Sequence, residues 1–237
     1  IEKSRVLDLL SHLVDKSLVE VNSEEEKGTS GNRYRLLETV RQYATERLME
    51  EEEDGAACRR HRNFFLALAE EAEPALDGPD QRVWLSRLKD EHDNLRAALR
   101  GCKAQDDAEA EIGLRLARAL GLFWQICGHW REGRAMCEEL LSGTGTGAGS
   151  VVRAEALRTA GKLALLLGEA TEARSFLEES LTVSQALLHR DGVAAALSEL
   201  GGLALHKGNF AEARDLYGNS LAISRELGDQ GGIANAL

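Results

Sequence analysis

Two stretches decide how this chain folds: Gly168-Glu-Ala-Thr-Glu-Ala-Arg-Ser-Phe-Leu-Glu-Glu-Ser-Leu181 and Gly208-Asn-Phe-Ala-Glu-Ala-Arg-Asp-Leu-Tyr-Gly-Asn-Ser-Leu221. Gly, Glu-Ala-Arg and Ser-Leu coincide at an offset of 40. Gly128-His-Trp-Arg-Glu-Gly-Arg134 falls in the same register one period earlier. Gly121, Gly161 and Gly201 form a second column, and Arg134, Arg174 and Arg214 a third. A fixed period of this size marks a stacked-repeat architecture, in which each unit buries its apolar face only against its neighbours.

Each repeat reads as two helices, A over 151–167 and B over 171–188 in the second copy. Leu157, Ala160, Ala164 and Leu167, then Ala173, Leu177 and Leu181, recur at helical spacing. Gly128, Gly168 and Gly208 stand where helix A must end and the chain reverse, so they read as C-terminal caps. Gly121, Gly161 and Gly201 lie inside helix A, where glycine costs about 1 kcal/mol against alanine. Their recurrence implies a crossing too close for a Cβ, with Gly133, Ala173 and Ala213 twelve residues later as its other side.

Glycine, a small residue twelve positions on, then a large one (Leu177, Tyr217) and a small one (Ser180, Ser220) resemble the tetratricopeptide repeat. That repeat has a period of about 34, so about six residues must be added near the B-to-A junctions. The lengthened form is similar to repeats of bacterial signalling proteins. The first copy departs most, with Trp124, Gly133 and Cys137 at the pattern positions, and its junction at 143–150 reads as a glycine-rich linker. Residues 233–237 align with 193–197, so a fourth repeat is expected to continue beyond the last residue. The chain also begins at Ile1 rather than Met, as a fragment would.

Upstream, 55–105 reads as two or three helices. Phe64, Phe65, Leu68 and Ala72 mark one over 56–73; Val83, Leu88, Leu95 and Leu99 mark 80–100. Residues 50–54 are an acidic run at a helix end. Residues 4–15 form an amphipathic pattern (Val6, Leu9, Leu10, Leu13); 17–21 and 33–37 alternate as two strands, and 38–49 returns to helix. Helix, hairpin, helix resembles the end of a winged-helix fold. Leu10-Ser-His-Leu-Val-Asp-Lys-Ser-Leu-Val19, Tyr34-Arg-Leu-Leu-Glu-Thr-Val-Arg-Gln-Tyr-Ala44, Trp84-Leu-Ser-Arg-Leu88 and Glu91-His-Asp-Asn-Leu-Arg-Ala-Ala-Leu99 resemble the segment that follows the nucleotide-binding domain in STAND signal-transduction ATPases of the AfsR type. The resemblance implies three parts: the end of a winged helix at 1–50, linking helices at 51–106, and repeats at 107–237. The copies fall near 107–150, 151–190 and 191–230, with a fourth starting at 231–237. The fold class expected is an all-α superhelix with a winged-helix remnant carrying a β-hairpin. In the resembled family the winged helix links an ATPase to a sensor arm, often in a transcriptional regulator.

Composition agrees with an ordinary globular chain: 237 residues, 43% hydrophobic and 29% charged, which argues against disorder. Two prolines and 5% aromatics speak against a sandwich or barrel. The longest uncharged apolar stretch, 119–130, is too short to span a bilayer, so no membrane partner is expected. Four cysteines without pairing pattern and no visible signal peptide point to reduced thiols and a cytoplasmic location.

Chemistry is sparse. No Walker motif or GxGxxG is present, so the chain itself should not hydrolyse nucleotide and needs no cofactor. Cys58 with His61, and Cys127 with His129, fall short of four-ligand zinc spacing. No motif assembles a nucleophile, base and orienter. Arg33 and Arg35 border the wing and Lys16 ends the preceding helix, but Glu24-Glu25-Glu26 and a net charge of −11 oppose a phosphate backbone. The charge balance favours intramolecular packing over DNA contact, and the resemblance implies that the packing partner is a nucleotide-binding domain. The resembled repeats line their concave face from helix A. Carried over, those positions are Arg115, Arg118, Leu122 and Gln125; Glu155, Arg158, Thr159 and Lys162; and Ser198, Glu199 and His206. Arg118, Arg158 and Lys162 on one strip would suit an acidic peptide or carboxylate ligand; alternatively these bases pair with acids on a solvated face, Arg158 with Glu155. The sequence therefore reads as a protein-interaction and sensor arm. A plain scaffold, a DNA-binding regulator acting through the winged helix and a small-molecule sensor closing around a ligand in the groove remain alternatives.

Overall fold

The computed structural model describes residues 3–23, 32–50, 54–102, 107–142 and 149–237. The acidic triplet at 24–26, most of the 50–54 run and positions 143–148 of the glycine-rich junction lie outside the described residues. The chain divides into two compact units, residues 1–59 and 60–237.

The first unit holds α1 (Lys3–Asp15), an antiparallel hairpin of β1 (Val19–Ser23) and β2 (Asn32–Leu36), α2 (Glu38–Glu50) and the start of α3 (Asp54–Ala72). Val19 pairs with Leu36 and Val21 with Tyr34. Helix α1 stops at Ser17, which adopts a left-handed φ of 55°. The Leu18 amide then donates to the Leu13 carbonyl, closing the helix end. Val19 is buried, but Val6 and Leu9 of the expected apolar stripe are exposed, as are Leu7, Tyr34, Leu36, Leu37 and Tyr43.

The second unit runs from α3 through a 3₁₀ turn (Glu73–Asp77), α4 (Gln81–Asp90), α5 (His92–Arg100), α6 (Asp107–Cys127) and α7 (Trp130–Leu141). It continues with α8 (Val151–Leu166), α9 (Ala170–Ala186), α10 (Arg190–His206), α11 (Phe210–Leu227) and α12 (Gln230–Ala236). This is the all-α superhelix of helix pairs that the forty-residue period requires. Buried Arg62 on α3 donates to the Gly101 carbonyl and to Glu109, tying three helices together. No described helix is long and apolar enough to cross a membrane.

Three expectations are corrected here. The stretch 80–100 is two helices, broken at Glu91, which caps both. Phe64 and Val83 do not face the core; both are well exposed. The Gly121, Gly161 and Gly201 column chiefly makes room for side chains; the expected approach of a neighbouring backbone is met at Gly161, where the Ala173 carbonyl would lie 3.4 Å from a Cβ, but not at Gly121 or Gly201. A Cβ at Gly161 would lie 2.8 Å from the Leu177 side chain, and one at Gly201 would lie 3.2 Å from the Tyr217 ring. In the first copy the large residue is replaced by the smaller Cys137, and Thr159 of α8 fills the space over Gly121 instead, at 2.9 Å. Volumes are exchanged elsewhere in that copy too. Trp124 stands where later copies have Ala164 and Ala204, and a Cβ at Gly133 would lie 2.6 Å from its indole. Gly128, Gly168 and Gly208 do cap their helices, at φ of 77°, 79° and 77°. Ser180 and Ser220 earn their column by donating to the Ala154 and Ala194 carbonyls at 2.7 and 2.8 Å, each across a helix pair.

Candidate functional site

The A helices α6, α8, α10 and α12 pack each on the next, while α7, α9 and α11 pack against A helices and make no comparable contact with one another. The closer spacing of the A row makes it the inner face. Long side chains bridge the outer row instead: Arg134 reaches Glu169 at 3.1 Å and Arg174 reaches Glu212 at 3.0 Å, while each also pairs four residues on along its own helix. That accounts for the arginine column at these two positions.

The inner face carries a ladder of ion pairs that cross from helix to helix. Arg115 grips Glu70 of α3 through both carboxylate oxygens, at 2.7–2.9 Å. Arg118 lies 2.9 Å from Glu73 in the 3₁₀ turn and 3.6 Å from Glu155 of α8. Lys162 meets Glu199 of α10 at 2.9 Å, with Arg158 at 4.0 Å from the same oxygen. Four bases thus alternate with four acids across three helix junctions. Their side chains are a quarter to two-fifths exposed, so the rungs remain within reach of an approaching group. Burial pushes the Glu73 carboxyl above its ordinary range, against the downward pull of Arg118.

Of the groove positions expected from sequence, Arg118 with Glu155, and Arg158 with Lys162 and Glu199, come together. Arg158 pairs across to Glu199, forty-one residues on, and not along its own helix to Glu155. Arg115 turns towards α3. Gln125 donates to the Gly121 carbonyl of its own helix, and His206 stands exposed at the end of α10. Glu70 and Glu73, which complete the first rungs, escaped the sequence reading because they precede the repeats and share no column with them. The Cys58–His61 pairing also takes another form: Cys58 is exposed and the His61 ring lies against Phe65, 4.6 Å between centroids. Cys137 and Trp124 are core residues as expected.

The winged helix-turn-helix domain family matches residues 1–49, and the tetratricopeptide repeat family matches residues 193–227. The chain carries a winged helix-turn-helix domain and a tetratricopeptide repeat. A relative in Mycobacterium bovis and two in Mycobacterium tuberculosis strains are each 38% identical over 136 residues, 57% of this chain. All three are named as candidate HTH-type transcriptional regulators, and the match spans only 14% of their length. Among solved structures, BtubC from P. vanneervenii aligns with a TM-score of 0.53 at 16% identity, covering 76% of this chain and 82% of that one. That likeness concerns the fold alone.

Proposed function

We propose that this chain is the partner-binding and sensor arm of a larger STAND-type ATPase regulator, with the winged segment as its hinge. The observation that carries the proposal is the inner-face ladder. Every rung joins two neighbouring helices, and every rung is partly exposed. A carboxylate-bearing peptide that takes Arg118, Arg158 or Lys162 from its present glutamate replaces one charge-assisted bond with another. The exchange costs little in itself but releases a helix-to-helix link. Partner binding is thereby coupled to the curvature of the stack, which biases a nucleotide-binding domain outside this chain between two states. The chain itself performs no catalytic step in this scheme.

The exposed apolar residues of the first unit support intramolecular docking. Val6, Leu9, Leu36 and Leu37 are surfaces that a packed neighbour would cover. The test is charge reversal at Arg158 and Lys162 in the full-length regulator. The proposal expects nucleotide exchange or oligomeric state to shift; if both stay as in the wild type, the sensor reading fails.

The match of residues 1–49 to a winged helix-turn-helix domain favours one second reading, direct DNA contact through Lys16 and Arg35. A salt-dependent mobility shift that disappears in a Lys16→Glu, Arg35→Glu variant would establish it. No shift at low salt would remove it.

A further inference from the structure

Three side chains that the regulatory reading leaves unused converge at the turn between α6 and α7. His129 precedes α7 as its cap residue, Glu132 lies in the first turn of α7, and His92 opens α5. His92 Nε2 is 3.3 Å from Glu132 Oε1. The two imidazole rings lie 4.3 Å apart between centroids, inclined by 31°. One ligand atom from each of the three residues can be chosen so that all lie within 4.8 Å of one another.

The surroundings suit an ion. His92 and Glu132 side chains are about one-fifth exposed, at 19% and 21%. Phe123 walls the group on one side, its ring 5.6 Å from that of His92. His129 and Glu132, with Trp130 and Leu166, line a cleft of about 480 Å³. His92 Nε2 is buried and, despite its distance to Glu132, has no partner in hydrogen-bonding geometry. Ring stacking explains why the imidazoles sit together, but it leaves that nitrogen unsatisfied, at a cost for a buried polar atom. A metal ion would use it. Two imidazole nitrogens and a carboxylate oxygen are borderline ligands of the kind that bind Zn²⁺ with one position open. Zinc–nitrogen bonds of about 2.0–2.1 Å in a tetrahedral site place neighbouring ligand atoms about 3.3 Å apart, the separation His92 and Glu132 already have. Arg96 Nε lies 2.9 Å from the same Glu132 oxygen, so its guanidinium is the group the ion displaces.

We propose that His92, His129 and Glu132 form a Zn²⁺ site that pins the start of α5 to the α6–α7 turn, its fourth position open to the cleft. The site lies on the helix pairs but outside the ion-pair ladder, so it stands or falls independently of the sensor reading.

The test uses the 237-residue chain, stripped with chelator and titrated with Zn²⁺ alone against a chromophoric competitor. One ion per chain is expected, and Co²⁺ in its place should give the visible absorption of a four- or five-coordinate nitrogen–oxygen site. His129→Gln and Glu132→Gln should each weaken binding by at least the roughly tenfold to hundredfold that loss of a ligand's hydrogen-bonding partner costs, with far-UV circular dichroism unchanged. Arg96→Gln, which frees the carboxylate, should tighten it several-fold, and His61→Gln and His206→Gln should leave it unaltered. Absence of stoichiometric binding, or binding that survives both His129→Gln and Glu132→Gln, overturns the assignment. So does binding lost equally in the His61→Gln or His206→Gln variants. Should His129→Gln unfold the chain, Glu132→Gln and Arg96→Gln decide the matter, since their opposite expected directions cannot both arise from general destabilisation.

Discussion

Leu188 ends α9 at a φ of 54°, in the left-handed region, with 85% of its surface exposed. Forty residues on, the end of α11 takes the same backbone form at φ 71°, but with Gly228. A residue with a Cβ pays about 1–2 kcal/mol there, and an exposed leucine has little burial to offset it. Leu188→Gly should therefore stabilise the chain by about 0.5–1 kcal/mol after the unfolded-state entropy of glycine is counted. Urea unfolding measures this; a lower midpoint would mean that Leu188 packs in a way its exposure hides. Gly161→Ala goes the other way. Its Cβ would fall 2.8 Å from Leu177, an overpacking cost of about 1–3 kcal/mol that the helix propensity of alanine recovers by only about 1 kcal/mol. In a Leu177→Ala background the same change should become neutral or stabilising, a coupling that a double-mutant cycle measures. The glycine columns were legible in the sequence as tight places. What fills them was not, because periodicity reports which face a residue occupies and not which atom of a neighbour reaches it. The end caps at Gly128, Gly168 and Gly208 were legible because their cause is local: a left-handed residue must follow a helix that reverses.

At the level of elements, helix pairs followed from spacing, but the break between α4 and α5 did not. No glycine or proline stands near Glu91, so no local signal marks the stop. Packing decides it, burying Leu88, Leu95 and Leu99 while Val83 turns outwards. The inner strip was likewise half legible. Helix A positions could be placed on one face, yet the carboxylates opposite them come from other helices, and Glu70 and Glu73 precede the repeats altogether. The junction at Glu73 yields a test. Its carboxyl is two-thirds buried, and burial raises its folded-state pKa despite Arg118. A carboxyl raised on folding binds its proton more tightly in the native state, so its contribution to stability is greatest at low pH and falls as pH rises through the unfolded and then the raised native value. Glu73→Gln should remove that dependence. At neutral pH the variant is expected to be no less stable than wild type, and up to about 1 kcal/mol more so. Melting temperatures between pH 4 and 7 check the sign: a variant that loses stability at pH 7 would show that the Arg118 pair outweighs burial.

Over the whole molecule, apolar burial is uneven. Among the described residues of the first unit, Val19 is the one buried hydrophobic side chain, whereas the second unit runs a continuous core from Phe65 to Val183. From α4 to α12 each helix packs on its neighbours in sequence, so opening one pair exposes the next, and the stack resists unfolding as a unit. The cysteines report on both regions. Cys58 is exposed in the first unit. Cys102 and Cys137 are buried in the second, and burial pushes their thiols up to about 11 and about 12. Neither presents a thiolate to reagent without local or global opening. At pH 8 and without denaturant, an aromatic disulfide reagent should therefore modify Cys58 at once and half-buried Cys127 more slowly. Cys102 and Cys137 should react only at a rate set by opening of the stack, which falls tenfold for each about 1.4 kcal/mol of opening free energy. In urea below the main transition, amide exchange should collapse first over 3–23 and 32–50 while Cys137 stays protected. Simultaneous labelling of Cys58 and Cys137 would contradict this, because it would require the repeat core to open as readily as the hairpin unit that precedes it in sequence.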